Sequence, residues 1–307
     1  MKSRPVPELI TDLRAMLDGT YTPPTKPYVD PENVTLFAGL TGVIVERPIE
    51  LVPGMHMQPS YAHLFSHFMA AFNPPINSRA PHPAPWHAVR GGGITFDVSS
   101  ELVLSEGTGA GSLSRLNSIW LVVSLIRLLS GAPIRMPAIS TVAFGDVASG
   151  EQQPTLWAVE TTGYSENWTV DVDDDFARGL TGCIPLAAKL MDQPIFNRAY
   201  RTFDAVVWLP DRSAQMVAIW SAMETAMRPG RGGTTKRLAG ALRYYLGTDR
   251  SSGDRIYNEV VRLYGERSNS AHDAQPVSVQ TVRDSYLLAR LMFIEIIGRG
   301  QLPPAHT

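Results

Sequence analysis

The chain has 307 residues, of which 44% are hydrophobic and 18% charged, with 25 glycines and 24 prolines. That is chain enough for about two domains, and its composition excludes a disordered chain, a collagen, a coiled coil and a disulfide scaffold. The net charge of −2 argues against a general nucleic-acid binder, because phosphate attraction grows with the number of basic contacts.

The single cysteine, Cys183, closes no internal disulfide and builds no cysteine-rich zinc cluster, which suits a reducing cytoplasm. Apolar runs at 119–129 and 286–297 contain Arg127, Arg290 and Glu295 and fall short of the roughly 20 residues of a membrane span. The first residues lack the apolar stretch and small-residue cleavage site of a signal peptide. We therefore expect a cytoplasmic protein with no membrane partner. Charge is unevenly spread: residues 1–200 carry −6 and residues 201–307 carry +4, with 23 arginines against 4 lysines overall. Such an arginine surplus is what GC-rich coding produces, and it also suits phosphate contacts through planar guanidinium forks.

Taken in chain order, residues 7–18 predict a first helix, with Leu9, Leu13, Met16 and Leu17 on one face, ended by Pro23, Pro24 and Pro27. Clustered β-branched residues around Gly39 and Gly42 predict one or two strands over 34–46. Steps of three and four between Ala62, Phe65, Phe68, Met69 and Phe72 predict a helix over 61–72. That helix would set His63 and His67 on one face, near His56, His82 and His87 in sequence, a spacing that a metal tolerates. No glutamate follows His63 and no carboxylate lies between Glu50 and Asp97, so we read these as structural or surface histidines and expect no metal.

A proline-rich loop follows at 74–85. Strands are then expected at 94–98 and 101–104, paired with each other. The glycine-rich loop 107–112 lacks a phosphate-loop lysine and reads as a flexible connection, leading into a helix over 112–129. A strand is expected at 155–161, an acidic solvated turn at Asp171, Asp173, Asp174 and Asp175, a helix at 186–191 and a short β-type run at 205–209. The expected fold is α+β: a mixed α/β domain over 1–200, of sensing or docking role, and a helical domain over 201–307.

The helical part is well punctuated. Asp211 is an N-cap for a stripe of Met216, Ile219, Trp220, Met223 and Met227 that stops at Pro229 and Gly230. A second helix opens after Thr234 or Thr235, buries Leu238, Leu242 and Tyr245, and ends at Gly247. A third opens at Asp249 or Ser251 with Ile256, Val260, Leu263 and Tyr264 inward. The fourth covers 278–297. Four helices with short connections predict an antiparallel bundle.

The third helix ends in Leu263-Tyr264-Gly265-Glu266-Arg267-Ser268-Asn269-Ser270-Ala271-His272. Five positions turn an ideal helix through about 140° beyond a full turn, so Arg267 and His272 converge only where the helix breaks. Ser268, Asn269 and Ser270 are poor helix-interior residues, and we expect the break there. A guanidinium that clamps phosphate beside an imidazole that moves a proton is the equipment of metal-free RNA cleavage.

The segment resembles the Arg-x4-His signature of the HEPN superfamily, in particular Apea-like HEPN domains, and the likeness covers residues 205–299. The Trp220-Ser221-Ala222-Met223-Glu224 run is similar to the family's first-helix pattern. The resemblance implies a metal-independent endoribonuclease without cofactor, of the toxin or antiviral-defence kind, acting as a homodimer and answering to an antitoxin or trigger. It implies that Arg267 neutralises the scissile phosphate and that His272 is the general acid or base. Ser268 stands where asparagine is frequent in the family and Asn269 comes one place late; both are expected to support the site, with Glu224 holding Arg267. Arg231, Lys236 and Arg237 are expected to touch RNA. The alternative is a catalytically silent HEPN module for dimerisation or RNA binding.

Overall fold

A computed structural model of the chain describes residues 31–64, 69–71, 86–88, 96–147, 156–158, 169–230, 232–272 and 277–304. The expected first helix, the proline-rich loop and Arg231 lie outside the described residues. The chain forms two compact units, one of Met1–Asp30 with Ser66–Gly93 and one of Pro31–Phe65 with Ile94–Thr307. Described residues of the first include an antiparallel pair, β5 (Met69–Ala71) and β6 (Trp86–Ala88).

The second unit is built on an antiparallel sheet whose strands lie in the order β3 (Ile49–Val52), β4 (Met55–Leu64), β7 (Phe96–Leu104), β1 (Leu36–Thr41), β8 (Arg135–Ser140) and β9 (Leu156–Ala158). A small parallel pair joins β2 (Val43–Ile44) to β10 (Val170–Asp171). The register sets apolar rows across the strands: Met55, Leu104 and Leu36 in one, Met57, Leu102 and Ala38 in the next, all buried. The alternation of side chains along a strand sends the intervening residues to the other face. There Glu101 accepts hydrogen bonds from Gln58 Nε2 (2.6 Å) and from the backbone N–H of Phe144 (3.0 Å). That second bond docks the single-turn helix α2 (Phe144–Val147) on the sheet. Gly39 leaves the room for it, since a Cβ there would stand 2.9 Å from the Phe144 ring.

Against the apolar face lies α1 (Arg115–Ser130), buried over Ile119, Leu121, Val122, Val123, Leu125, Ile126 and Leu128. Then come α3 (Asp174–Met191), α4 (Pro194–Ala205), α5 (Arg212–Met227), α6 (Thr234–Leu246), α7 (Arg250–His272) and α8 (Val279–Arg299). The acidic stretch is the start of α3 rather than a free turn: Asp173 accepts from Phe176 N (2.8 Å), and Asp174 and Asp175 sit at the positive end of the helix dipole. Proline opens α4, where its missing N–H costs nothing.

Other expectations are corrected as well. Residues 61–64 continue strand β4 and residues 69–71 form β5, so His63 lies on a strand and not on the expected helix, while His67 lies outside the described residues. Pairing of β4 with β7 outweighs the helix-like spacing of the aromatics. Residues 94–98 and 101–104 do not pair with each other: 96–104 is one strand, and Ser99 Oγ spends its hydrogen bond on the Val43 carbonyl (2.7 Å) instead of making a turn. Val206–Trp208 is a 3-10 turn closing α4, not a β run. The boundary expected at residue 200 falls inside α4. One buried cluster spans it, because Phe196, Tyr200 and Phe203 pack against Phe293 and Tyr286 of α8 with ring centroids 4.9–6.2 Å apart.

Helices α5 to α8 each contact the other three. Their directions differ from an up-and-down bundle. Arg212 at the start of α5 reaches the carbonyl of Val277 before α8 (3.5 Å), and Arg228 after α5 donates to the carbonyl of Pro303 after α8. Both pairs of ends coincide, so α5 and α8 run in the same direction.

Candidate functional site

Three of the four helices of this region start at a side-chain cap, and α6 opens at Gly233 without one. Asp211 accepts from Ala214 N (2.8 Å), Asp249 from Ser252 N (2.8 Å), and Ser278 receives the N–H of Thr281 (3.0 Å). Such caps bond backbone donors that have no partner within the helix. The stripe of Met216, Ile219, Trp220, Met223 and Met227 is fully buried, as are Leu238, Leu242, Val260 and Leu263. Packing of α6 on α7 and of α7 on α8 fixes where Arg267 stands.

Arg267 is half-buried on α7, with its Cζ 5.4 Å from the centre of the Tyr264 ring one turn earlier. The Tyr264 hydroxyl donates to Glu224 Oε1 (2.8 Å) on α5, and Trp220 meets the Tyr264 ring edge-on at 5.1 Å. Burial and the bond to Glu224 hold the Tyr264 phenol above its ordinary value, so it is neutral and donating at physiological pH. Glu224 therefore touches Tyr264, and the tyrosine ring lies beside the arginine. A guanidinium over an aromatic face gains about 0.5–2 kcal/mol and loses rotational freedom, which sets the direction of Arg267. Tyr264 was expected only as core; its position three residues before Arg267, on the same helix face, was the available signal.

The residue after Arg267, Ser268, is half-buried. The expected break at Ser268, Asn269 and Ser270 is absent: α7 is continuous to His272. Its last turns are tied down, since Glu266 accepts from Thr281 Oγ1 of α8 and from Arg262 Nη1 (2.8 Å). Three poor helix formers cost only a few tenths of a kcal/mol each, less than those bonds and the helical ones hold. Position 272 is thus turned about 140° from position 267 along a regular helix. The side chains of Asn269 and His272 lie outside the described residues.

Lys236 and Arg237 are exposed near the start of α6, a helix that contains Lys236, Arg237 and Arg243 and no carboxylate. Arg243 pairs with Asp254 of α7 at 2.8 Å, while Lys236 and Arg237 make no ion pair among the described residues. Among the described residues no three His, Cys, Asp or Glu side chains are grouped to hold a metal. Two other sequence features resolve as structure. The backbone N–H of Ala110 in the glycine-rich loop is bound to Ser118 Oγ (2.8 Å), and Thr108 Oγ1 bonds the Ser105 carbonyl (2.5 Å). Cys183 is half-buried, and burial pushes its thiol up, away from the reactive thiolate. No helix among the described residues is long and apolar enough to cross a membrane. No protein-family profile, no curated protein and no solved structure matches the chain.

Proposed function

We propose that the chain is an endoribonuclease of the HEPN type, a toxin or defence effector in which Arg267 binds the scissile phosphate and His272 moves the proton. The observation that carries this reading is the Arg267-Ser268-Asn269-Ser270-Ala271-His272 run at the end of the third of four mutually packed helices. The stacked, half-buried guanidinium and the basic surface of α6 support it. In this reaction the ribose 2′-oxygen attacks phosphorus as its proton leaves to a base, the bond to the 5′-oxygen breaks, and that oxygen takes up a proton. Arg267 neutralises the charge gathered on the phosphoryl oxygens, and the His272 imidazole supplies base or acid. Because a continuous α7 turns positions 267 and 272 apart, the reading requires a homodimer in which two α7 ends share one cleft.

Arg267→Ala and His272→Ala each abolish RNA cleavage while the circular dichroism spectrum stays that of the parent, and cleavage persists in EDTA. Full activity in either variant overturns the reading. The same continuity of α7 favours one alternative, a catalytically silent HEPN module that dimerises or holds RNA. Protein that binds RNA through Lys236 and Arg237 and never cuts it, with any trigger present, decides for that module.

A further inference from the structure

Between the first turns of α5 and α8 runs a groove of about 220 Å³, walled by Val206, Val207, Val282 and Tyr286. Val279 stands at its mouth, 62% exposed. Gln215 also lines it but has its amide nitrogen on the Leu209 carbonyl (2.8 Å). The walls thus offer a ligand almost no hydrogen bonds, and polar atoms placed there lose their water without return. An apolar body fits; a nucleobase, with its polar edges, does not.

The remaining lining residues are Arg212 and Arg283, both exposed, so their charge lies where the groove opens to solvent. Neither makes an ion pair among the described residues. The carboxylates next to them in sequence are engaged elsewhere: Asp211 on the Ala214 amide, Asp284 on Arg262 (3.3 Å) and Gln280 (2.7 Å). Burial, with Asp204 nearby, pushes the Tyr286 phenol up to about 12, so the wall stays neutral and does not repel an anion. Guanidinium forks favour carboxylate oxygens. The volume is below the roughly 300–1,000 Å³ of sites for drug-sized ligands, which selects a small molecule.

We propose that this groove binds a small apolar monocarboxylic acid, its hydrocarbon body between the valines and Tyr286 and its carboxylate on Arg212 and Arg283. The site is independent of the nuclease reading. Calorimetric titration of the full chain with octanoate and with phenylacetate tests it, with octanol and phenylacetamide as uncharged counterparts. Saturable binding by at least one acid is expected, with the uncharged counterpart at least about tenfold weaker. Arg212→Gln and Arg283→Gln each weaken the acid by about tenfold, and Val279→Trp, a change at an exposed position, blocks it while the melting transition stays put. No saturable binding by either acid, equal binding of acid and uncharged counterpart, or parental affinity in Val279→Trp overturns the proposal.

Discussion

Two arginine-rich regions of this molecule use the same side chain for opposite ends. In the interior, Arg127 forms a bidentate pair with Asp204 (2.7 and 2.8 Å) that is over nine-tenths buried, with Trp208 at 5.7 Å and Trp120 Nε1 also on the carboxylate (3.1 Å). Burial works against the Arg127 charge, but Asp204 more than offsets it, and the guanidinium stays above its ordinary value. Arg115 spreads its donors over the carbonyls of Pro31, Val34, Leu104, Ser105 and Thr108, and Arg290 of α8 caps the carbonyls of Leu128 and Leu129 at the end of α1. On α6, by contrast, Lys236 and Arg237 are exposed and make no ion pair among the described residues. An arginine surplus is therefore no nucleic-acid signal by itself here: five rigid donors make arginine a staple for buried carbonyls, and exposed cations such as those of α6 are the ones left for an outside anion.

Stability measurements test that contrast. Arg127→Met, which strands a buried carboxylate, is expected to cost about 3–5 kcal/mol in urea unfolding, and Arg127→Met with Asp204→Leu to recover most of it. A single variant within about 1 kcal/mol of the parent removes Arg127 from the class of staples. Arg115→Met leaves several carbonyls without a donor and is expected to cost about 2–3 kcal/mol, read the same way. Tyr264→Phe, which removes one hydroxyl from Glu224, is expected to cost about 1 kcal/mol. Lys236→Gln with Arg237→Gln should change stability by less than about 0.5 kcal/mol; under the nuclease reading it weakens RNA binding and flattens the salt dependence.

The smallest effect is one of pH. The Ser252 backbone bond holds the Asp249 carboxyl below its ordinary value, so the folded state favours the ionised form. The stabilisation is present above the ordinary carboxylate range and is lost as pH falls through the folded value. Asp249→Asn keeps a capping side chain but has no such dependence. The gap between the two melting temperatures is expected to narrow in acid, and a constant gap would remove Asp249 as a titrating cap.

What was legible in the residues follows the range of the interactions. Helices α5, α6 and α8 were visible because caps and apolar spacing are local, and Asp211, Gly247 and Ser278 lie where those rules put them. Strand β4 beyond the irregular register at Pro59 was not, because its pairing with β7 is remote in sequence. The Arg127–Asp204 pair joins residues 77 positions apart, and no spacing rule reaches across that distance. In the candidate site, Arg267 and Glu224 were visible as residue types, whereas Tyr264 between them depended on how α5 crosses α7. The parallel run of α5 and α8 was hidden for a similar reason: short connections suggest reversal, but the path of α6 and α7 decides where the fourth helix lands.

The ladder between β4 and β7 closes on Leu64 and Phe96, which face each other on neighbouring strands. Partners in such a rung are about 5 Å apart, the span of a hairpin turn. The chain therefore departs from the sheet and rejoins it through a gap that a two-residue loop bridges, with both strands already anchored by Met55, Met57, Leu102 and Leu104. In engineering terms this is a socket: an Asn-Gly graft in place of residues 65–95 keeps the Leu64–Phe96 rung, and a foreign module with adjacent termini can be seated in the same opening.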